Sequence, residues 1–283
     1  MRFSKYQALG NDYLVIGETE LGGDVSPQLI RRITHRNLGV GADGILVGRQ
    51  LGPQRFQLRI FNPDGGQAEK SGNGLRIYAR ALFDSGAVSE QPFEVETLGG
   101  TVRCEIVESG ARVRVAMGRV VFDSAAIPVA GEPREVLMES IRVGGREFEF
   151  SAASVGNPHC VIFVPDPKES ETKELGPAIE RDARFPNRSN VQFAAVQDRK
   201  KLRIEIWERG AGYTMASGTS ACAAAGVALR LGLCDPKLTV QMVGGDLDLE
   251  FDDDFHVLIE GPVTHVATGQ ISDETLREAT SRG

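Results

Sequence analysis

Two serines in this chain stand where an acid or base group could work on a small anion, each at the head of an apolar run. Ser71-Gly72-Asn73-Gly74 follows Phe61-Asn62-Pro63-Asp64-Gly65, and Ser217-Gly218-Thr219-Ser220 follows Trp207-Glu208-Arg209-Gly210. A Ser-Gly turn that opens a helix presents unpaired N–H groups and about half a positive charge. That suits a carboxylate, and it suits the negative charge that develops when the adjacent α-carbon loses a proton. Serine is also among the best N-cap residues, so one such turn alone reads first as a cap. The pair carries more: Asn11 and Asn157, Phe61 and Trp207, Ser71 and Ser217, and Gly86 and Gly232 are all separated by 146 positions. Several landmarks at one offset imply an internal duplication.

The repeat extends beyond those landmarks. Leu98-Gly99-Gly100 answers to Val243-Gly244-Gly245 at an offset of 145, and Gly118 to Gly261 at 143, so small deletions accumulate in the later strands. At the front, Gly10-Asn11-Asp12-Tyr13-Leu14-Val15-Ile16 matches Gly156-Asn157-Pro158-His159-Cys160-Val161-Ile162. The period is far too long for a solenoid, whose units run about 20 to 50 residues. Two similar domains are expected, 1–118 completed by 262–283, and 119–261, facing each other with Ser71 and Ser217 on opposite walls of one cleft. A chain of 283 residues agrees with the prior of roughly 100 to 200 residues per domain.

The elements that must hold these turns are mostly strands. Short runs rich in Val, Ile and Phe and bounded by Gly, Pro or Asp occur at 13–16, 44–47, 57–61, 93–97, 102–107 and 113–116, and again at 161–164, 203–207, 238–243 and 257–259. Helical spacing of Leu75, Tyr78 or Ala79, and Leu82 predicts a helix over 73–84 with Gly86 as its stop. The run 219–231 has almost no polar face, which marks a buried helix. Shorter helices are expected at 27–36 and 174–181, and a polar, frayed one over 272–283. The tract 119–145, with Pro128 and Pro133, has no partner in the first half and reads as a crossover plus an extra hairpin. The expected fold is α+β: two pseudo-symmetric domains, each a curved, mostly antiparallel sheet around a central helix.

Composition narrows the partners. With 41% apolar and 25% charged residues the chain is an ordinary globular protein, and a net charge of −7 argues against nucleic acid. No apolar run reaches the roughly 20 residues of a membrane span, and Met-Arg-Phe-Ser-Lys lacks a signal-peptide core; no membrane partner and a cytoplasmic location are expected. Cys104, Cys160, Cys222 and Cys234 have no Cys-x-x-Cys spacing and read as buried free thiols, so no metal site is expected. Gly39-Val40-Gly41-Ala42-Asp43-Gly44 formally matches a dinucleotide fingerprint, but a strand-like run follows it where a helix is required. Asp252-Asp253-Asp254 lacks the ligand spacing of a calcium loop. No cofactor is implied, a small carboxylate is the partner that the serine turns suit, and an exposed sheet edge is compatible with a homodimer.

Further candidates lie beside the turns. Asn11, Asn62, Asn157 and Asn190 fall at strand ends, and asparagine in turns is commonly structural, yet Asn11 and Asn157 are repeat mates. Glu208-Arg209 follows a strand where the first half has Asn62-Pro63. A substrate-facing ion pair there would tell the two ends of a ligand apart; an exposed charge pair is the alternative.

The motifs Gly10-Asn11-Asp12, Asn37 to Asp43, Phe61 to Gly65, Ser71 to Arg76, Gly156 to His159, Phe185 to Asn190, Glu208 to Gly212 and Ser217 to Thr219, in that order along nearly the whole chain, resemble the diaminopimelate epimerase family of cofactor-independent racemases and epimerases. The resemblance implies a two-base mechanism without pyridoxal phosphate, in which a thiolate removes the α-proton while a thiol on the opposite face donates one. Those two groups fall on positions 71 and 217, both serine here. By the same resemblance Asn11, Asn62, Gly72, Asn73, Asn157, Asn190, Glu208, Arg209, Gly218 and Thr219 bind substrate; His159, Lys70 and Tyr213 are candidate auxiliary acid or base groups beside the serines, Lys70 and Tyr213 being departures from the family pattern. Tyr213 stands where the family has glutamate, Ser220 where it has glycine, and Gly44 replaces a polar residue that contacts substrate. A thiol becomes a thiolate readily at a helix N-terminus, whereas a serine alkoxide near pH 7 needs a strong neighbouring base. Three activities remain open: an epimerase acting on diaminopimelate or a relative, a lyase or dehydratase on the same carbanion logic, and an amino-acid-binding homologue without turnover.

Overall fold

The computed structural model describes residues 1–21 and 25–281. They form two compact units, Met1–Val115 with the chain from Gly261 onward, and Ala116–Glu260. The first unit holds β1 (Arg2–Ala8), β2 (Asn11–Gly17), α1 (Glu18–Leu21), α2 (Pro27–Thr34), β3 (Gly44–Gly52), β4 (Arg55–Phe61), β5 (Gln67–Ala68), α3 (Gly72–Asp84), β6 (Phe93–Thr97) and β7 (Gly100–Val107), after which β8 (Arg112–Arg119) crosses the boundary in sequence. The second holds β9 (Glu139–Val143), β10 (Arg146–Ser154), β11 (Pro158–Phe163), α4 (Glu169–Glu180), β12 (Asn190–Asp198), β13 (Lys201–Glu208), β14 (Gly212–Thr214), α5 (Gly218–Arg230), β15 (Lys237–Met242), β16 (Gly245–Phe251) and most of β17 (His256–Pro262). The chain then returns to the first unit as β18 (Thr264–Gln270) and α6 (Asp273–Ser281).

Pairing repeats from one unit to the other. β1 lies antiparallel between β18 and β2, β2 pairs in parallel with β3, β3 antiparallel with β4, and β4 with both β5 and, in parallel, β6. In the second unit β10 lies antiparallel between β9 and β11, β11 pairs in parallel with β12, β12 antiparallel with β13, and β13 with both β14 and, in parallel, β15. Even the irregularities correspond: the β3–β4 register shifts between Gln50 and Gly52, and the β12–β13 register between Val196 and Asp198. Each sheet is therefore mixed and mostly antiparallel, within an α+β fold.

Each sheet wraps one central helix. α3 packs on β1, β2, β3 and β7, and α5 on β10, β11, β12, β13 and β16. α5 is buried from Ser220 to Ala228, and its small side chains let strands approach it from all sides. Leu75, Ile77 and Ala79 of α3 are wholly buried; a fully buried Leu or Ile contributes about 1.5–3 kcal/mol. Both helices stop at a glycine with positive φ, Gly86 at 74° and Gly232 at 72°, where a side chain would clash with its own backbone.

Several elements differ from expectation. α4 begins at Glu169 rather than 174, its first turn favoured by Glu169 and Glu171. The tract 119–145 holds one strand, β9, rather than a whole extra hairpin, and β9 pairs β10 as β18 pairs β1, so this tract supplies the counterpart of the first unit's last strand. No helix among the described residues is long and apolar enough to cross a membrane.

Gly44 lies in register with Tyr13 across β2–β3. A Cβ at Gly44 would meet the Phe61 carbonyl oxygen at 2.5 Å and Tyr13 Cε1 at 2.5 Å. Because a paired backbone oxygen cannot retreat, Gly44→Ala is expected to destabilise the protein by about 1–3 kcal/mol, read as a lowered midpoint in urea unfolding. An unchanged midpoint contradicts this packing.

Candidate functional site

The two serine turns have one backbone geometry. Ser71 caps α3 at φ −141°, ψ 119°, and Ser217 caps α5 at φ −145°, ψ 122°. Ser71 Oγ accepts from Gly74 N at 3.0 Å, and Ser217 Oγ accepts from Ser220 N at 3.4 Å. Each cap satisfies one of the N–H groups that a helix start leaves unpaired, while Gly72 and Gly218 occupy the first helical positions with no side chain to block the rest. Ser71 is half-buried, and Ser217 is 5% exposed. Among the described residues, no carboxylate or imidazole is hydrogen-bonded to either hydroxyl.

Behind each turn an asparagine from the second strand of the repeat touches the second helical residue. In the first unit Asn73 Nδ2 donates to Asn11 Oδ1 at 3.2 Å; in the second Asn157 Nδ2 donates to Thr219 Oγ1 at 3.4 Å. What orients the two asparagines differs. Asn11 Nδ2 donates to Asp43 at 3.0 Å, within a cluster in which Asp12 contacts Lys5 at 2.7 Å and Arg36 at 3.0 Å, and Arg36 contacts Asp43 at 2.7 Å. Burial works to raise the Asp12 pKa, but hydrogen bonds from Arg36 and Lys5 win and hold it below the usual carboxylate range. Arg76, wholly buried, donates to Asn73 Oδ1 at 2.9 Å and fixes that amide in turn.

In the second unit the orienting group is His159, wholly buried, whose Nε2 lies 2.9 Å from Asn157 Oδ1. A carbonyl oxygen only accepts, so Nε2 carries the hydrogen. Nδ1 and the neighbouring Gln192 Oε1 have no aligned partner, while Gln192 Nε2 reaches Ser220 Oγ at 3.0 Å. Burial lowers the His159 pKa from 6.5 to about 3; the charge of Arg209 pushes the same way, and the nearby Gln192 amide opposes it. His159 is therefore a neutral imidazole near pH 7 that orients Asn157. The first unit carries different residues at these positions: Tyr13, Leu46 and Gly74 stand where the second unit has His159, Gln192 and Ser220.

The remaining candidates divide. Asn190 is buried, donating to Pro158 O at 2.8 Å and accepting from Arg209 N at 2.9 Å, and so ties the 185–190 loop to the turn after β13. The Arg209 guanidinium is exposed and donates to Asn187 O at 3.0 Å; Glu208 beside it is half-buried. Asn62 and Lys70 are half-buried, Asn62 in the β4–β5 turn and Lys70 directly before Ser71. Tyr213 is occupied elsewhere: its hydroxyl donates to Glu205 at 2.5 Å, and Lys173 lies 4.8 Å from its ring centroid on the α4 side. Burial and the Glu205 carboxylate both raise its pKa, so its hydroxyl stays protonated and bound to Glu205 near neutral pH. The four cysteines are buried free thiols, with burial pushing Cys104 up to about 12.

Sequence reasoning missed Gln192, and it singled out Ser220 only as a departure from the family pattern. The signal was present: Gln192 is two residues from Asn190 on a strand of otherwise apolar type, which puts both on one face. It also missed Asp43 with Arg36 as the group that orients Asn11.

The neutral burial of His159 has a pH signature. Its folded pKa lies below the unfolded 6.5, so its contribution to stability is fully present above 6.5 and is lost as pH falls toward about 3. The expected slope is about 1.4 kcal/mol per pH unit in that window. His159→Gln is expected to remove that part of the slope in urea titrations at pH 4 to 7; an identical pH profile in the variant rules the assignment out.

Comparison with known proteins gives the family and the fold. The diaminopimelate epimerase family profile matches residues 3–122 and 151–266. The chain is 52% identical over 275 residues to diaminopimelate epimerase 2 of Nostoc sp., covering 97% of this chain and 96% of that protein. It is 41% identical to the diaminopimelate epimerase of Moorella thermoacetica, covering 95% and 98%. Among solved structures, a probable proline racemase from Agrobacterium radiobacter with bound carbonate has the same fold, with a TM-score of 0.69 at 14% identity, covering 96% of this chain and 93% of that one. A profile that spans both halves of the repeat, with close relatives along nearly the full length, places this chain in the diaminopimelate epimerase family.

Proposed function

We propose that the chain is an amino-acid epimerase of the diaminopimelate type that works without pyridoxal phosphate. The observation that carries the reading is the matched pair of serine-capped helix starts, alike in backbone angle and separated by 146 residues, in a member of this family. In the proposed reaction the two half-sites serve one amino acid. N–H groups of α3 and α5 receive its α-carboxylate and stabilise the charge that builds as the α-carbon is deprotonated. One serine, its own proton already released to solvent, accepts the α-proton as an alkoxide while the opposite hydroxyl gives up its proton to the carbanion, so the configuration inverts and the pair ends with its single proton on the other oxygen. Asn11, Asn73, Asn157 and Thr219 flank the reacting carbon, and Asn62, Asn190, Glu208 and Arg209 receive the rest of the ligand. A homodimer would use the β18 edge, which pairs only with β1 among the described residues and exposes Val266.

The test is α-proton exchange. Incubation with diaminopimelate in deuterium oxide is expected to place deuterium at one α-carbon as the diastereomers interconvert. Release of a β-substituent would instead support a lyase, and saturable binding without exchange a binding protein.

The hydroxyls hold their protons far more tightly than thiols at the same turns. Ser71→Cys combined with Ser217→Cys is therefore expected to raise kcat by at least about tenfold, measured by coupled assay or by exchange. A double variant that folds and binds diaminopimelate yet exchanges no α-proton sinks the two-base reading.

A further inference from the structure

Glu180, the last residue of α4, is a carboxylate that folding alone would not choose. It is 2% exposed and lies at a helix C-terminus, where the carbonyl ends of the helix disfavour negative charge. Three donors converge on it: Trp207 Nε1 at 2.7 Å on one oxygen, and Gly210 N at 3.3 Å with Arg188 Nη1 at 3.2 Å on the other. Its backbone carbonyl also accepts from Ser189 N at 3.1 Å. One side chain thus binds the end of β13, the turn after it and the loop before Asn190. Arg188 is held at φ 57°, a left-handed conformation that costs a non-glycine residue about 1–2 kcal/mol and persists only where its surroundings enforce it.

The first unit has none of this. Thr34, Phe61 and Asp64 are the mates of Glu180, Trp207 and Gly210. Thr34 Oγ1 turns back to Ile30 O at 2.8 Å, phenylalanine has no N–H to give, and the turn is held from outside by Arg31 on Asp64 O at 2.7 Å. The buried carboxylate therefore belongs to what makes the two halves unlike. A buried carboxylate paired with a half-exposed arginine is weak evidence for stability and is best explained where it fixes one arrangement among several. Here the arrangement fixed is that of Asn190 and Arg209, since Arg209 N donates to Asn190 Oδ1 and its guanidinium to Asn187 O.

We infer that Glu180 is a positioning residue: by clamping the turn of Arg209 to the loop of Asn190, it sets the geometry with which the second half-site recognises the polar end of the substrate remote from the reacting carbon. The inference rests on the proposed function for the identity of that substrate, but the clamp is a property of the protein alone. Glu180→Gln keeps the shape and leaves one oxygen for donors that now need two.

The test has two arms. Without ligand, hydrogen exchange at the Arg209 and Gly210 amides in Glu180→Gln is expected to speed up about tenfold or more, and the emission of Trp207, the single tryptophan, to shift. With diaminopimelate, KM is expected to rise about tenfold with kcat within about threefold, because uniform binding is lost and transition-state contacts are kept. Adding Trp207→Phe, which installs the first unit's residue, removes one donor and is expected to return part of the KM loss, a coupling that mere loss of stability would not produce. Unchanged amide exchange overturns the inference, as does a KM unchanged or a kcat reduced as much as kcat/KM. Wild-type protein that neither binds nor turns over diaminopimelate refutes the proposed substrate alone, and the exchange arm then decides on the clamp.

Discussion

Everything functional in this chain depends on how a helix begins inside a sheet. A helix surrounded by strands must start somewhere, and the N–H groups of its first turn cannot go unpaired in a protein interior. Here one is given to a serine, and the others stand over glycines at positions 72 and 218. The apolar lengths of α3 and α5 fix the helices against their sheets, and with them the place and direction of these donors. The asparagines at the starts of the neighbouring strands then have their own constraint, because each must be held by a partner while it faces the turn.

Those partners are where the halves part. The same backbone is kept while its polar content is redistributed: the first unit holds Asn11 with an exposed-side network of Asp12, Asp43, Arg36 and Lys5, the second holds Asn157 with a buried neutral imidazole. A charged network tolerates solvent and is screened by salt; a buried histidine is insulated, and its cost appears only in acid. Where the first unit places Leu46 against Gly74, at which an added Cβ would lie 3.2 Å from both Leu46 and Ser71, the second places Gln192 against Ser220. A duplicated protein that receives an unsymmetrical ligand needs such differences, and they lie in side chains behind the turns while the backbone stays equivalent.

How far this was legible depends on what kind of signal each feature leaves. The helices at 72–84 and 218–230, the strands of high Val and Ile content, and the repeat offset follow from periodicity and punctuation. β1 and β18 do not, because Arg2, Ser4, Lys5 and Gln7 interrupt one, and β18 is exposed along nearly its whole length; such strands exist through pairing, which local composition does not record. The start of α4 was displaced by Gly176 and Pro177 inside it, and Gly176 is there because Trp207 fills the space of a side chain, with Cβ of Trp207 at 2.7 Å from the position a Cβ would take. The serine turns were legible as chemistry. Glu180 was not, since a glutamate in a polar helix reads as a solvated residue until Trp207, Gly210 and Arg188 are brought to it across the fold.

The cap and the catalytic reading of the serines are usually set against each other, but the contacts make them one argument. Hydrogen bonds donated to an oxygen favour its anionic form, and a helix N-terminus adds its partial positive charge. Ser71 Oγ receives one backbone N–H at 3.0 Å; Ser217 Oγ receives one at 3.4 Å and lies 3.3 Å from the Thr219 hydroxyl. The interactions that stabilise the helices as caps thus also lower the cost of charge on the same oxygens. They do so unequally, with a closer N–H at Ser71 and an additional, reorientable hydroxyl at Ser217. In the proposed reaction the two serines trade the roles of proton acceptor and proton donor, and a hydroxyl neighbour that either donates or accepts leaves neither form fixed at Ser217.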